Sequence, residues 1–185
     1  MSLEYAILGF LNYKPFTGYE LKKMFDTSVR HFWSADQSQI YRTLAKLTAD
    51  GLAEVEVVEQ TIRPDRKVYH ITSAGQARFV AWLRGPFPNE EARSGPLVQV
   101  FFSARLTDDE ILVKFETAAE IFRTLLDRYA SVPPQAQEAM QQVPSPREHY
   151  FWMQTLDLGN RTIRAQLEWA EAVIADLKSH RVPEK

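Results

Sequence analysis

Between Gln37 and Thr72 the apolar residues change period from that of a helix to that of a strand, and the strand period then occurs twice. Ile40, Leu44 and Leu47 fall four and three residues apart, one stripe of an α-helix. Gly51 follows, in the position where a glycine ends a helix. Leu52-Ala-Glu-Val-Glu-Val-Val-Glu59 then alternates apolar and polar as a half-buried strand does, and Lys67-Val-Tyr-His-Ile-Thr72 alternates again. Gln60-Thr-Ile-Arg-Pro-Asp-Arg66 lies between them and contains a Pro-Asp turn. The pattern predicts a helix followed by a hairpin with a basic tip.

Upstream, Leu3, Ala6, Ile7, Phe10 and Leu11 share one face of a helix over Ser2 to Asn12, and Pro15 closes it. Thr17 with Glu20 three residues later is a capping-box pattern, opening a second helix with Leu21, Met24 and Phe25 on its inner stripe. Downstream, Thr72-Ser-Ala-Gly-Gln opens a fourth helix through Phe79, Val80 and Leu83. Three short helices and a two-stranded hairpin make the order of a winged helix-turn-helix. In such a module the third helix enters the major groove and the hairpin lies along the backbone.

The third helix carries residues suited to that use. At about 100° per residue, Ser38, Gln39, Arg42, Ala45 and Lys46 fall opposite the buried stripe. Tyr41 lies at the flank, where it reads either as a DNA contact or as a structural residue. No acidic residue occurs between Gln37 and Ala49. At the hairpin, Arg63, Arg66 and Lys67 are placed to neutralise phosphates. Net charge is only −2 for 185 residues, and residues 1–82 carry 10 Lys and Arg against 9 Asp and Glu, a balance of +1. Any attraction to DNA must therefore come from a basic face rather than from the whole domain.

The chain then changes character. Gly85-Pro-Phe-Pro-Asn-Glu-Glu reads as linker, dividing a domain over 1–84 from one over 97–185, with 85–96 between them. Leu97 to Ala104 is a short apolar run with Val98, Phe101 and Phe102. Thr107-Asp-Asp-Glu110 caps a long helix carrying Ile111, Phe115, Ala118, Phe122, Leu125 and Tyr129. Gln135 to Gln142 reads as a short polar helix. In the last segment Met153, Leu156, Asn160, Ile163, Leu167, Ala170, Ile174 and Leu177 alternate by three and four, an a/d seam of about three and a half heptads. Asn160 is its polar member, suited to fixing register. Tyr150, Trp152, Trp169 and Val173 widen the apolar surface, so the helix is expected to pack both within its domain and against a second subunit. Trp152 and Trp169 read as core or dimer interface before the wall of an effector pocket.

Other classes find little support. Cysteine is absent, which excludes disulfides and thiolate metal sites. His31, His70, His149 and His180 are scattered without ligand-like spacing, so no metal or other cofactor is expected. No catalytic constellation or phosphate loop stands out, and no enzyme is expected. Neither a signal peptide nor an apolar stretch of membrane-spanning length is visible, which predicts a cytoplasmic protein without a membrane partner.

The sequence resembles the PadR family of transcriptional regulators over essentially its whole length. The resemblance is carried by Tyr5-Ala-Ile-Leu-Gly-Phe-Leu11, Thr17-Gly-Tyr-Glu-Leu-Lys-Lys23, Ser38-Gln-Ile-Tyr-Arg-Thr-Leu-Ala-Lys-Leu47, Gly51-Leu52 and Arg66-Lys-Val-Tyr-His-Ile-Thr-Ser-Ala-Gly75, in that order and spacing. Leu156-Asp-Leu-Gly-Asn with Leu167-Glu-Trp-Ala-Glu-Ala172 is similar to the family's last helix, in the subgroup related to the virulence activator AphA. The resemblance implies a mainly α fold, with a winged helix-turn-helix ahead of an all-helical dimerisation domain. It further implies a homodimer acting on double-stranded operator DNA, usually as a repressor. Dimerisation falls to Leu156, Asn160, Ile163, Leu167, Ala170, Ile174 and Leu177. Some members sense a small-molecule effector, and nothing in this sequence names one. A protein-interaction module on the same fold is the alternative.

Overall fold

The computed structural model describes residues 2–30, 32–59, 65–88, 94–130 and 145–183. The chain divides into two units, Met1–Pro88 and Asn89–Lys185, so the division falls inside the stretch read as linker. Arg63, His31, the hairpin tip over 60–64 and the short helix expected at 135–142 lie outside the described residues.

The first unit begins with α1 (Ser2–Tyr13). A two-residue strand, β1 (Phe16–Thr17), leads directly into α2 (Gly18–Met24). The Thr17–Glu20 capping box forms in both directions: Thr17 Oγ1 accepts the Glu20 N–H at 3.2 Å, and Glu20 Oε2 accepts the Thr17 N–H at 2.8 Å. α2 runs on into a π-helical turn over Phe25–Val29. Then come α3 (Gln37–Ala49), β2 (Ala53–Val58), β3 (Arg66–Ile71) and α4 (Ser73–Leu83). Their core joins Ile7, Leu8, Leu11, Phe25, Ile40 and Leu44, with the Phe10 ring edge-on to Phe25 at 5.2 Å. Tyr5 of α1 stacks on Trp82 of α4, centroids 4.5 Å apart, which ties the last helix of the unit to the first.

The sheet has three antiparallel strands in the order β1-β3-β2, one more than the hairpin expected from the sequence. Phe16 pairs with Tyr69 and Thr17 with Val68, so β1 anchors the wing to the start of α2. β2 is therefore an edge strand. Of its residues only Ala53 is buried, and Val55, Val57 and Val58 are exposed, where the alternation suggests a half-buried strand.

In the second unit α5 (Gly95–Phe101) and a 3₁₀ turn (Ser103–Arg105) precede two long antiparallel partners, α6 (Asp108–Ala130) and α7 (Pro146–Lys178). Each long helix starts at a side-chain cap. Thr107 Oγ1 accepts the Glu110 N–H at 3.3 Å, and Ser145 Oγ accepts that of Glu148 at 3.3 Å. Phe115 and Ala119 of α6 meet Ala170 of α7, with Ile111, Phe122, Leu167 and Ile174 around them. Among the described residues no helix is long and apolar enough to cross a membrane.

Candidate nucleic-acid interface

α3 is built to show one face. Ile40, Leu44 and Leu47 are 0% exposed, whereas Ser38, Gln39, Tyr41, Arg42, Ala45 and Lys46 all face solvent. Both ends of the helix are fixed. At the start, Asp36 Oδ1 accepts the Gln39 N–H and the Ser38 hydroxyl, both at 2.7 Å, while Gln39 Oε1 accepts the Asp36 N–H at 3.1 Å. At the end, the Leu52 N–H reaches the Leu47 carbonyl at 2.9 Å and the Gly51 N–H that of Thr48 at 3.1 Å. This is a Schellman closure, and it needs the positive φ of 68° that Gly51 supplies.

The cap changes what two of the sequence candidates offer. Ser38 spends its proton on Asp36, and Gln39 spends its carbonyl oxygen on the cap. The Gln39 amide nitrogen and the Ser38 oxygen lone pairs remain for a partner. The Ser38 hydroxyl, and after it the Gln39 N–H, hold the Asp36 carboxyl below the usual aspartate range. A negative charge thus sits at the N-terminus of α3, one residue before the acid-free stretch begins.

The four described cations differ in their surroundings. Arg42 lies along its own helix, with Nε donating to the Ser38 carbonyl at 3.4 Å; among the described residues it forms no ion pair, and its charge adds to the Ser38 and Gln39 bonds that lower the Asp36 carboxyl. Lys67 on β3, opposite Val57, likewise has no carboxylate partner among the described residues. Lys46 does have partners. Its Nζ is bonded to Glu4 Oε1 of α1 and lies 3.7 Å from Asp50 Oδ2. The Glu4 hydrogen bond outweighs the effect of burial and raises the pKa of that ammonium. Arg66 reaches back to Glu20 Oε1 at 2.6 Å. Burial would raise the Glu20 carboxyl, but its two bonds from Thr17 and the Arg66 guanidinium lower it instead.

Tyr41 is packed as well as exposed. Its ring lies against the buried Gly18 at the start of α2, so the flank residue links the two helices of the motif.

In the second unit the a/d seam is largely closed within one chain. Ile163, Ala170 and Leu177 are buried, and Leu167 and Ile174 are half-buried in the same helical pair. Leu156 and Asn160 are also half-buried, and Met153 is exposed. Asn160 lines an open depression of about 510 Å³ between α6 and α7, with Tyr129, Arg161 and Arg164. Trp169, 40% exposed, sets its ring edge against the buried Phe115 at 5.2 Å.

Two family models match this architecture, the transcriptional regulator PadR-like family over residues 7–81 and the virulence activator alpha C-terminal family over residues 92–178. The chain belongs to the PadR-like family. That family is one of transcriptional regulators, not of enzymes. A probable transcriptional regulator of Mycobacterium tuberculosis is 39% identical over 98 residues, covering 52% of this chain and 52% of that protein. The negative transcriptional regulator PadR of Bacillus subtilis is 30% identical over 128 residues, covering 68% of this chain and 66% of that one. The sequence matches thus span about half to two thirds of these relatives. Crystallised with operator DNA, Bacillus subtilis PadR superposes with a TM-score of 0.80 at 26% identity, over 96% of this chain and 99% of that one. AphA of Vibrio cholerae gives a TM-score of 0.72 at 25% identity, over 96% and 99%.

Within the PadR-like frame, the residues that sequence reasoning missed are the carboxylates. Asp36 had a local signal, since Gln39 stands three residues after it as in other capping boxes. Glu20 is legible as a cap, but nothing local shows that Glu4 and Glu20 meet Lys46 and Arg66, 42 and 46 residues away along the chain.

Proposed function

We propose that the protein is a homodimeric transcriptional regulator that binds an inverted-repeat operator and represses from it. Its compartment would be the cytoplasm, where such DNA is met. The outer face of α3 enters a major groove about 12 Å wide, with Arg42 as the principal base reader and the Gln39 amide and Ser38 oxygen beside it. Lys67, with Arg63 and Arg66 on the same hairpin, lies along the phosphates. Lys46 joins them once it leaves Glu4. Tyr41 is assigned to packing rather than to base contact. A single observation carries the reading: one stripe of α3 is completely buried, and the opposite face presents an arginine with no ion pair among the described residues, beside small and amide side chains.

One unit of near-neutral charge gives few phosphate contacts, so a second copy is needed to double them. The dimer surface we propose uses the apolar side chains that the second unit leaves exposed. These are Phe101 and Phe102 at the end of α5, and Tyr150, Phe151 and Leu158 on the first half of α7, where Phe151 and Leu158 lie on the side of the helix away from the half-buried Leu156 and Asn160. Two-fold pairing would set the α3 helices about 34 Å apart, one turn of duplex. An effector is not required for this function, and none is assigned.

The test is equilibrium binding of a labelled duplex from the protein's own promoter region at several salt concentrations, beside sedimentation of the free protein. Expected are a two-chain species and a log–log salt slope of about −0.9 per neutralised phosphate. Lys67→Ala should weaken binding about equally on all sequences and reduce the slope by about one. A chain that sediments as a single copy and leaves duplex unshifted at low salt would instead favour a protein-docking module.

A further inference from the structure

Two of the cations that face DNA in this reading are already held by carboxylates from the helices behind them. Lys46, with 58% of its side chain exposed, is bonded to Glu4 in the first turn of α1 and is flanked by Asp50. Arg66 is held by Glu20, whose other oxygen serves the α2 cap. Arg42 and Lys67 have no such partner among the described residues. The same surface therefore contains two ungated cations and two that carry their own counter-ion.

We propose that Glu4 is a specificity-determining residue, an internal competitor that keeps Lys46 from binding DNA non-specifically. The proposal rests on the reading of α3 as the DNA-facing helix. Non-specific binding is essentially all phosphate electrostatics. A lysine neutralised by its own chain contributes little to it, and the carboxylate beside it repels approaching phosphates. An exposed ion pair is weak enough to exchange. When base contacts from Arg42 hold the duplex in register, a phosphate can displace Glu4 and Lys46 is recruited. The lysine then strengthens operator binding more than binding to other DNA. Glu20 does the same for Arg66 at the wing, but it is also committed to the cap, so Glu4 is the cleaner test.

The experiment measures binding of the full chain to a labelled mixed-sequence duplex between about 50 and 200 mM salt. Glu4→Gln keeps the shape and removes the charge. It should bind several-fold more tightly at the low-salt end, with a log–log slope steeper by up to about 0.9, the worth of one further phosphate neutralised, since Asp50 stays beside Lys46. In a Lys46→Ala background the gain should shrink to that of a charge change alone, with no change of slope. Glu54→Gln, the same charge change at a β2 residue without an ion pair among the described residues, should give a smaller gain and no change of slope. Should Glu4→Gln fail to fold, Lys46→Ala alone decides: it should cost little on mixed-sequence DNA, where Arg42→Ala costs more. Unchanged or weaker binding by Glu4→Gln, or a gain that survives in full without Lys46, overturns the proposal while the DNA-binding reading stands. A wild-type chain that binds no duplex at low salt overturns both.

Discussion

The Tyr41 ring of α3 covers Gly18 of α2 so closely that a Cβ built on the glycine would come within 2.5 Å of Tyr41 Cε1. Gly18 is the first residue of α2, just after the Thr17 cap, and it is buried. The contact sets the distance between the two helices of the DNA-binding motif.

Gly18→Ala should therefore destabilise the first unit by about 1–3 kcal/mol, the usual cost of overpacking. Alanine is otherwise the better helix former by up to about 1 kcal/mol, so the sign depends on the tyrosine. In a Tyr41→Ala background the same Gly18→Ala change should be neutral or stabilising. Urea unfolding of the four chains of this cycle measures the coupling directly.

Much of this unit was legible in the sequence, and the exceptions have physical causes. Ile40, Leu44 and Leu47 could be assigned because a helix must bury a stripe, and the caps at Thr17 and Gly51 are local patterns. β1 was not legible: two residues carry no period, and Phe16 becomes strand only by pairing with Tyr69, 53 positions away. The Glu4 and Glu20 partnerships are tertiary in the same sense. In the second unit the alternation from Met153 to Leu177 specified an apolar seam but not its owner. Ala170 and Leu177 face inward within one chain, since a periodic stripe looks the same whether α6 or another copy covers it.

Acid should unfold the first unit in a way that depends on two named carboxyls. Asp36 is held below the aspartate range mainly by the Ser38 hydroxyl, and Glu20 is lowered by Thr17 and Arg66 against the opposing effect of burial. A folded pKa below the unfolded one gives stability that is present above the unfolded value and is lost as pH falls through the folded value. Stability should thus decline once pH falls below about 4, the ordinary carboxylate range. Asp36→Asn with Glu20→Gln, which keep the capping acceptors, should make that decline shallower. Urea midpoints taken at a series of pH values give the slope.

The α6–α7 pair should depend on Phe115, which is buried against Ala170 with its ring against Trp169. Phe115→Ala should cost about 3–5 kcal/mol in that unit. The exposed bridges across the pair, Arg123–Glu171 and Lys178–Glu116, should contribute far less, about 0–1 kcal/mol each. Trp169 fluorescence during chemical unfolding, in a chain whose Trp33, Trp82 and Trp152 are replaced by Phe, reports on the unit.

The most direct measurement of the central claim is selection of bound duplexes from a random pool at one fixed salt concentration, with wild type and Arg42→Ala in parallel. The wild-type pool should converge on an inverted repeat with half-sites about 10 base pairs apart, centre to centre. Arg42→Ala should lose preference at one position of each half-site, worth about 1–3 kcal/mol. A wild-type pool that stays random, or an Arg42→Ala pool that converges on the same repeat with the same preference at every position, would contradict the account.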